Sequence, residues 1–166
     1  MIRPAKPEDT TALIAVTKAT GLFELEQLKE LSQMLDDYFD RHRNSDYPKG
    51  ETAPQRFWLA DEDDKDGPVG VAYCEPERMT DQTWNLQLIA IHPDRQGQGR
   101  GAALLGYVEQ TLVAQGGRIL LVETSSSLER TQAFYRKCGY EEEARIRDFY
   151  ATGYDKVVFR KALNTT

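Results

Sequence analysis

The sequence predicts one domain of mixed α/β class, with strands dominating its first half and helices alternating with strands in its second. Its 166 residues suffice for a single buried core. Two strand-like runs, 56–61 and 68–74, flank an acidic turn with a glycine, which favours a hairpin. After a third strand, helical and strand-like segments alternate, which indicates a mixed sheet covered by helices.

The first half begins with a short strand over Met1–Pro4. A helix then starts near Pro7 and ends before Gly21. Apolar residues recur every three or four positions over Leu25–Phe39, with acids and lysines between them, and predict an amphipathic helix. Arg41–Pro54 is polar and contains two prolines, so we expect a loop there.

The second half is predicted to alternate strands and helices before ending in two strands around a loop at 148–150. In chain order the segments are a strand at Trp84–Ile91, a helix at Gly101–Val113, a strand at Arg118–Thr124, a helix at Leu128–Lys137 capped by Gly139, and strands at Tyr140–Arg147 and Tyr154–Lys161.

Composition excludes several function classes. The net charge of −6 and the lack of a basic stripe argue against nucleic-acid binding. No window approaches the ~20 apolar residues of a membrane span, and no secretory signal is visible, so we expect a cytoplasmic protein. Cys74 and Cys138 are too few and too far apart for a disulfide framework or a zinc site. The run Asp61–Asp64 lacks the spacing of a calcium loop and is expected to be a solvated turn, with no metal.

The most informative segment is a glycine-rich loop between a strand and a helix, in which Gly97, Gly99 and Gly101 alternate. Their lack of side chains exposes the free N–H groups of the helix's first turn, which carry the positive end of the helix dipole. Arg95 and Arg100 add positive charge nearby. The loop therefore predicts a phosphate site built from backbone.

A dinucleotide is one phosphate ligand that fits this pattern at first. Gly97, Gly99 and Ala102 satisfy the dinucleotide signature, and Glu123 follows about 20 residues later, so an NAD- or FAD-dependent oxidoreductase is an alternative. Two observations argue against this alternative. Five residues, His92 to Gln96, separate the first glycine from the strand, and too little chain remains for a doubly wound sheet. The Gly-Lys-Ser/Thr of a nucleotide-triphosphate loop is absent.

Three segments resemble the GCN5-related N-acetyltransferases (GNAT). Residues 96–101, Gln-Gly-Gln-Gly-Arg-Gly, are similar to the family signature Gln/Arg-x-x-Gly-x-Gly/Ala. The strand ending at 89–93 resembles the family's fourth strand, and 133–140 resembles its later segment, a helical tyrosine followed by Gly-aromatic. The resemblance covers residues 1–163 as one domain.

The resemblance implies a GNAT-like fold, acetyl-CoA as donor and an amine acceptor. That fold has a central, mostly antiparallel mixed sheet of six or seven strands with two splayed parallel strands, flanked by about four helices. The implied cofactor-binding residues are Ile89, Ala90, Ile91, Arg95, Gln96, Gly97, Gln98, Gly99, Arg100, Gly101, Ala102, Ser126, Thr131, Phe134, Tyr135 and Lys137.

The same resemblance implies direct attack of a neutral amine on the thioester, which would lie between the strand ends at Ile91 and Glu123. Tyr135 resembles the family's acid for the departing thiolate. Glu123 is the first candidate for the base, with Glu75 and Asp148 behind it. His92 is expected to be structural.

One departure from the family pattern concerns the pantetheine arm. Many members carry an asparagine about seven residues before the tyrosine, where this chain has Leu128. That polar contact is then expected to come from a serine of 125–127 or from Thr131, or to be missing.

The acceptor is not specified by the sequence and is expected to be a small-molecule or peptide amine. The segments expected to bind it are 21–54 and 148–154. Because the family often forms dimers, a homodimer is one expected assembly. A non-catalytic domain that binds coenzyme A as a sensor is a second alternative function.

Overall fold

The computed structural model describes residues 1–44 and 56–163. Its strands are β1 (Ile2–Pro4), β2 (Phe57–Asp63), β3 (Gly67–Pro76), β4 (Thr83–Ile91), β5 (Ile119–Ser125), β6 (Glu141–Ala151) and β7 (Tyr154–Ala162). Its α-helices are α1 (Thr10–Ala19), α2 (Leu25–Asn44), α3 (Arg100–Ala114) and α4 (Glu129–Lys137). None of the described helices has both the length and the apolarity needed to cross a membrane.

The seven strands form one mixed sheet in the order β1-β2-β3-β4-β5-β7-β6. The pairs β1–β2, β5–β7 and β6–β7 are antiparallel, whereas β4 and β5 run parallel. This architecture confirms the predicted fold class, a mixed and mostly antiparallel sheet with about four helices.

The described chain divides into two compact units, the first of which comprises the described residues of 1–73 together with 88–107. Its core joins buried residues of α1 and α2 to the inward side chains of β2, β3 and β4. Trp58 stacks on Tyr73 with ring centroids 4.3 Å apart. The amphipathic pattern of α2 is explained by this core, because Leu35 and Phe39 are buried in it.

The second unit comprises residues 74–87 and the described residues from 108 onward, and it contains the ladder of β5, β6 and β7. Along β5 buried and half-buried residues alternate, so one face of the strand is covered and the other is partly open. Leu120, Val122 and Thr124 lie on the covered face, together with Val157 and Phe159 of β7.

Three local predictions were wrong. Helix α2 continues to Asn44 rather than stopping before Arg41, since no proline or glycine interrupts that stretch; positions 45–54 of the predicted loop lie outside the described residues. The acidic run is a solvated turn only at Asp64, because Asp61 to Asp63 belong to β2 and Asp61 is only 4% exposed.

The third error is the loop predicted at 148–150, which lies within β6. Asp148 has a φ of 55°, a left-handed conformation that aspartate tolerates better than most residues. Its Oδ1 accepts a hydrogen bond from the N–H of Gly153 at 2.7 Å. The chain therefore reverses at Thr152 and Gly153 instead.

Candidate active site

The glycine-rich loop connects β4 to α3 within the first unit. A short 3-10 turn over Pro93–Arg95 opens it, and the Nδ1 of His92 accepts a hydrogen bond from the N–H of Asp94 at 3.2 Å, a structural role. Gly97 and Gly99 have φ values of 75° and 79°. A Cβ at either position would meet nothing within 4 Å, so the backbone conformation, not lack of space, requires glycine.

The loop leads directly into the N-terminus of α3. The first bond across it runs from the N–H of Ala103 to the carbonyl of Gly99 at 3.0 Å. The N–H groups of Arg100, Gly101 and Ala102 precede this bond and have no carbonyl within the helix to bind. Because the loop before them is exposed, these groups form a backbone cradle suited to an anion.

Both arginines of the loop are held by carboxylates of the β2–β3 hairpin. Arg100 donates to Asp61 and Asp63 at 2.9 Å each, and Arg95 donates to Asp63 at 3.2 Å and to Asp66. The hydrogen bond from the Lys65 N–H, followed by the charges of these arginines, lowers the pKa of Asp63. Two guanidinium groups thus face three carboxylates, and the free positive character of the loop comes from its backbone.

The carboxyl end of β4 holds the other residues predicted for the cofactor in this unit. Ala90 and Ile91 are buried, and Ile89 is half-buried. The amide of Gln96 turns back and donates to the carbonyl of Ile91 at 3.0 Å, which fixes the loop to the strand it leaves. Gln96 therefore has a structural role, which the family signature alone did not predict.

The ladder between β4 and β5 is short. Its pairs run from Thr83 with Ile119 to Leu86 with Val122. Beyond them Glu123, Thr124 and Ser125 of β5 take their ladder partners from β7. Within the described strands, the last three residues of β5 therefore have one backbone edge without a ladder partner.

Tyr135 lies on α4 in the second unit, packed against the covered face of the sheet. The residue is 4% exposed, and its ring lies 5.8 Å from the rings of Tyr140 and Phe159. Burial raises the pKa of its hydroxyl well above the usual value of 10, so the group stays protonated at neutral pH. Among the described residues the hydroxyl has no hydrogen-bond partner, yet it is not among the fully buried polar atoms.

Glu123 lies on the half-open face of β5, opposite the face that carries Phe159 and Tyr135. Its Oε2 is 2.8 Å from the ammonium of Lys156, and its Oε1 accepts from the amide of Asn85 at 3.2 Å. Both carboxylate oxygens therefore have a donor. The structure places the two predicted catalytic side chains on different faces of the β5–β7 pair.

The remaining predicted contacts surround the start and end of α4. Ser126 Oγ accepts from the N–H of Asp155 at 2.9 Å, a structural bond, whereas the half-buried Thr131 has no such partner among the described residues. Phe134 is half-buried with its ring 5.3 Å from that of Tyr135, and Lys137 is exposed. Asp148, one of the weaker base candidates, accepts a hydrogen bond from the N–H of Gly153 in the turn between β6 and β7.

Sequence reasoning missed three residues of this region. Gln132 is 6% exposed and donates to the carbonyls of Ser125 and Ser126 at 3.3 and 3.0 Å, which ties α4 to the end of β5. The sequence feature that could have identified Gln132 is a polar residue at a buried position of an amphipathic helix. Asn85 and Lys156 gave no signal, because only strand pairing brings them to Glu123.

Comparison with known proteins is consistent with this architecture. The family model of the acetyltransferase (GNAT) domain matches residues 53–142, more than half of the chain. That range includes the glycine loop, Glu123 and Tyr135. No curated protein sequence matches the chain significantly.

Solved structures extend the likeness over the whole chain. A GNAT-family protein from Desulfovibrio desulfuricans is 28% identical, with 99% of each chain covered and a TM-score of 0.86. YncA of Salmonella typhimurium, solved with acetyl-CoA, is 18% identical, with 100% and 95% covered and a TM-score of 0.77. An aminoglycoside 6′-N-acetyltransferase in complex with coenzyme A is 16% identical, with 100% and 98% covered and a TM-score of 0.77.

The dinucleotide alternative is not supported by these findings. A doubly wound sheet is predominantly parallel, whereas β4–β5 is the parallel pair here and three further pairs are antiparallel. The family match includes the same glycines that formally satisfied the dinucleotide signature. The predicted family and enzyme class are confirmed: the chain belongs to the GNAT family of acetyltransferases.

Proposed function

We propose that this protein transfers the acetyl group of acetyl-CoA to a primary amine by direct attack, with residues 1–163 acting as one catalytic domain. The observation that carries the proposal is the glycine loop at the start of α3. Its two left-handed glycines and three free N–H groups are suited to a pyrophosphate. The family model that spans this loop supports acetyl-CoA as the ligand rather than a dinucleotide.

The other cofactor-binding residues are proposed from the family pattern and their positions in the fold. Gln96 to Ala102 would hold the pyrophosphate, and Ile89 and Ile91 would offer main-chain groups to the pantetheine arm. Thr131 is better suited than Ser126 to bind that arm, since the hydroxyl of Ser126 already accepts a structural bond. Two structural neighbours support the choice of cofactor, because they contain acetyl-CoA and coenzyme A.

The reaction requires three contributions from the protein. An N–H donor near Ile91 would stabilise the oxyanion as the amine nitrogen bonds to the thioester carbon. The carbon–sulfur bond then breaks, and Tyr135 would donate a proton to the departing thiolate. Its raised pKa keeps that proton in place before the reaction.

The nitrogen must lose two protons in total if the amine arrives as an ammonium. Glu123 is proposed to accept one of them, directly or through water, and to release it to solvent. The other proton restores the Tyr135 hydroxyl after it has protonated the thiolate. Its present partners, Lys156 and Asn85, occupy both carboxylate oxygens. Proton transfer to Glu123 therefore requires one of these contacts to be exchanged for the acceptor.

Calorimetric titration with acetyl-CoA, with NADH and FAD as controls, tests the proposal. Saturable binding of acetyl-CoA alone is the expected result, and an amine library then identifies the acceptor. Preference for a dinucleotide would overturn the assignment of the loop. Tight acetyl-CoA binding without transfer to any amine would instead favour the coenzyme A sensor. The cytoplasmic location and the homodimer remain predictions.

A further inference from the structure

A cluster of charged and aromatic side chains surrounds the ammonium of Lys156 on the half-open face of the second unit. Lys156 lies on β7 and Glu123 on β5, and both belong to the antiparallel ladder of these strands. Phe149 comes from β6. We refer to Glu123, Phe149 and Lys156 as the ammonium cluster.

The geometry of the cluster is that of a binding site for an alkylammonium group. The Nζ of Lys156 lies 2.8 Å from Oε2 of Glu123 and 4.1 Å from the centroid of the Phe149 ring. A carboxylate combined with an aromatic face is the arrangement that recognises organic cations. The side chain of Lys156 is only 14% exposed, so its ammonium fills this site rather than extending into solvent.

A second carboxylate, that of Glu77, is joined to this site through Asn85. The amide of Asn85, which is 3% exposed, donates to Glu77 at 2.9 Å and to Glu123 at 3.2 Å. One amide thus holds two carboxylates beside a single ammonium. Arg160 adds a cation to the same face, and it lies directly opposite Glu141 in the register.

Phe149 and its neighbour offer further surface to a ligand. Phe149 is 50% exposed and Tyr150 is 48% exposed, and their rings meet edge to face at 5.0 Å. Burial, followed by the charge of Glu123, raises the pKa of Tyr150. An amine with an aliphatic chain would find apolar surface beside the charged site.

We propose that Lys156 occupies the place of the acceptor's ammonium, and that the acceptor displaces it from Glu123 and the Phe149 ring. The acceptor is then an alkylamine whose charged groups are ammonium groups, such as a diamine or a polyamine. An amine that also carries a carboxylate would instead require Lys156 as its partner. The acceptor role rests on the proposed acetyl transfer, whereas the cation site does not depend on it.

The first experiment measures spermidine binding by calorimetry without acetyl-CoA, in the wild type and in Lys156→Met. Methionine retains much of the apolar stem and removes the competing charge. The expected result is spermidine binding about 5- to 10-fold tighter in the variant, since a competing ion pair is removed. Unchanged or weaker spermidine binding would overturn the proposal, as would glutamate binding to the wild type that is lost in Lys156→Met.

Two further variants define the site. Phe149→Leu should weaken spermidine binding about 3-fold, in line with the loss of one exposed cation–π contact. Lys161→Met is the matched control, because Lys161 is also a β7 lysine paired with a glutamate, Glu109, at 2.5 Å. It should leave spermidine affinity unchanged, and an effect as large as that of Lys156→Met would contradict the assignment to this cluster.

A measurement on the wild type keeps the proposal testable if a variant fails to fold. With the amine-reactive reagent in excess over spermidine, saturating spermidine should increase the labelling of Lys156 relative to that of Lys161 in the same sample, read by peptide mass spectrometry, because Lys156 is displaced into solvent. Unchanged labelling at saturation would overturn displacement. Spermidine binding without acetylation would count against the proposed function alone, and acetylation of other amines without spermidine binding would count against this site alone.

Discussion

The glycine loop of the first unit and the Tyr135–Glu123 region of the second are organised in different ways. The loop is a continuous segment, and its character comes from backbone: two positive φ angles and the N-terminus of α3. Its arginines are balanced by carboxylates. In the second unit, the proposed catalytic side chains lie on β5 and α4, and each contacts a partner distant in sequence.

This difference determines how each region should respond to mutation. A backbone site is sensitive to any side chain that alters its φ angles or covers its N–H groups, and insensitive to conservative charge changes nearby. A side-chain site is sensitive to the loss of single atoms, such as one hydroxyl or one ammonium. The predictions below test this distinction, from the largest expected effect to the smallest.

The largest effect is expected from Gly99→Val. A β-branched residue is strained at a φ of 79°, and its methyl groups would crowd the N–H groups that are proposed to face the phosphate. Calorimetry should show acetyl-CoA affinity reduced by about 1,000-fold, or ~4 kcal/mol. The fold should remain, as judged by circular dichroism.

Gly21→Val is the matched control for this variant. Gly21 has a φ of 71° and nothing within 4 Å of a Cβ, so it imposes similar strain outside the loop. Its acetyl-CoA affinity should equal that of the wild type. An equal loss of affinity in both variants would mean that strain alone explains the result and that the loop is not the site.

Tyr135→Phe should lower kcat by about 100-fold while leaving acetyl-CoA affinity nearly unchanged. Because burial raises the pKa of Tyr135, the hydroxyl remains protonated well above pH 10, and it should produce no alkaline decline in activity below that pH. Steady-state kinetics across the alkaline range check both statements.

Tyr140→Phe provides the comparison for this hydroxyl. Tyr140 is 3% exposed, and its hydroxyl is fully buried without a partner among the described residues. Its removal should leave kcat unchanged and should not lower the free energy of unfolding. If the two variants lost activity to the same extent, the acid role of Tyr135 would have to be withdrawn.

Arg100→Gln tests the charge balance of the loop and should act mainly on stability. It leaves Asp61, which is 4% exposed, without its guanidinium, and should reduce the free energy of unfolding by about 2 kcal/mol. Urea denaturation checks the value. A loss of acetyl-CoA affinity much larger than the loss of stability would show that this side chain, not the backbone, binds the phosphates.

The pH dependence of the wild-type protein's stability follows from the same contacts between the loop arginines and the hairpin carboxylates. The folded-state pKa of Asp63 is lowered, so its contribution to stability is present above its unfolded pKa near 3.8 and is lost as the pH falls through the lower folded value. Arg100→Gln should reduce this acid-dependent loss, because one of the charges that lower the pKa is removed. An unchanged acid profile would contradict the assignment.

The smallest effect is expected from Gly106→Ala in α3. A Cβ there meets nothing within 4 Å, and the residue is helical, so alanine should increase the free energy of unfolding by about 0.5–1 kcal/mol. Acetyl-CoA affinity should not change. Thermal unfolding and calorimetry would separate this ordinary helix glycine from the glycines of the loop.

The errors of sequence-based prediction fall where local pattern and tertiary partner disagree. Asp61 and Asp63 look like part of a solvated turn in sequence, yet their partners Arg95 and Arg100 lie more than 30 residues away and hold them against the loop. Residues 148–150 look like a loop, but pairing with β7 continues β6 to Ala151. Patterns with a local cause, such as the amphipathic face of α2, were predicted correctly.

The sequence by itself determined the fold class, the family and the glycine loop. These depend on periodicity, glycine placement and a helix start, which are properties of contiguous residues. Only the tertiary structure decided that Glu123 is paired with Lys156, that Asn85 joins it to Glu77, and that Tyr135 lies on the other face. The physical reason is that strand register, which no single segment encodes, selects the side chains that meet across a sheet.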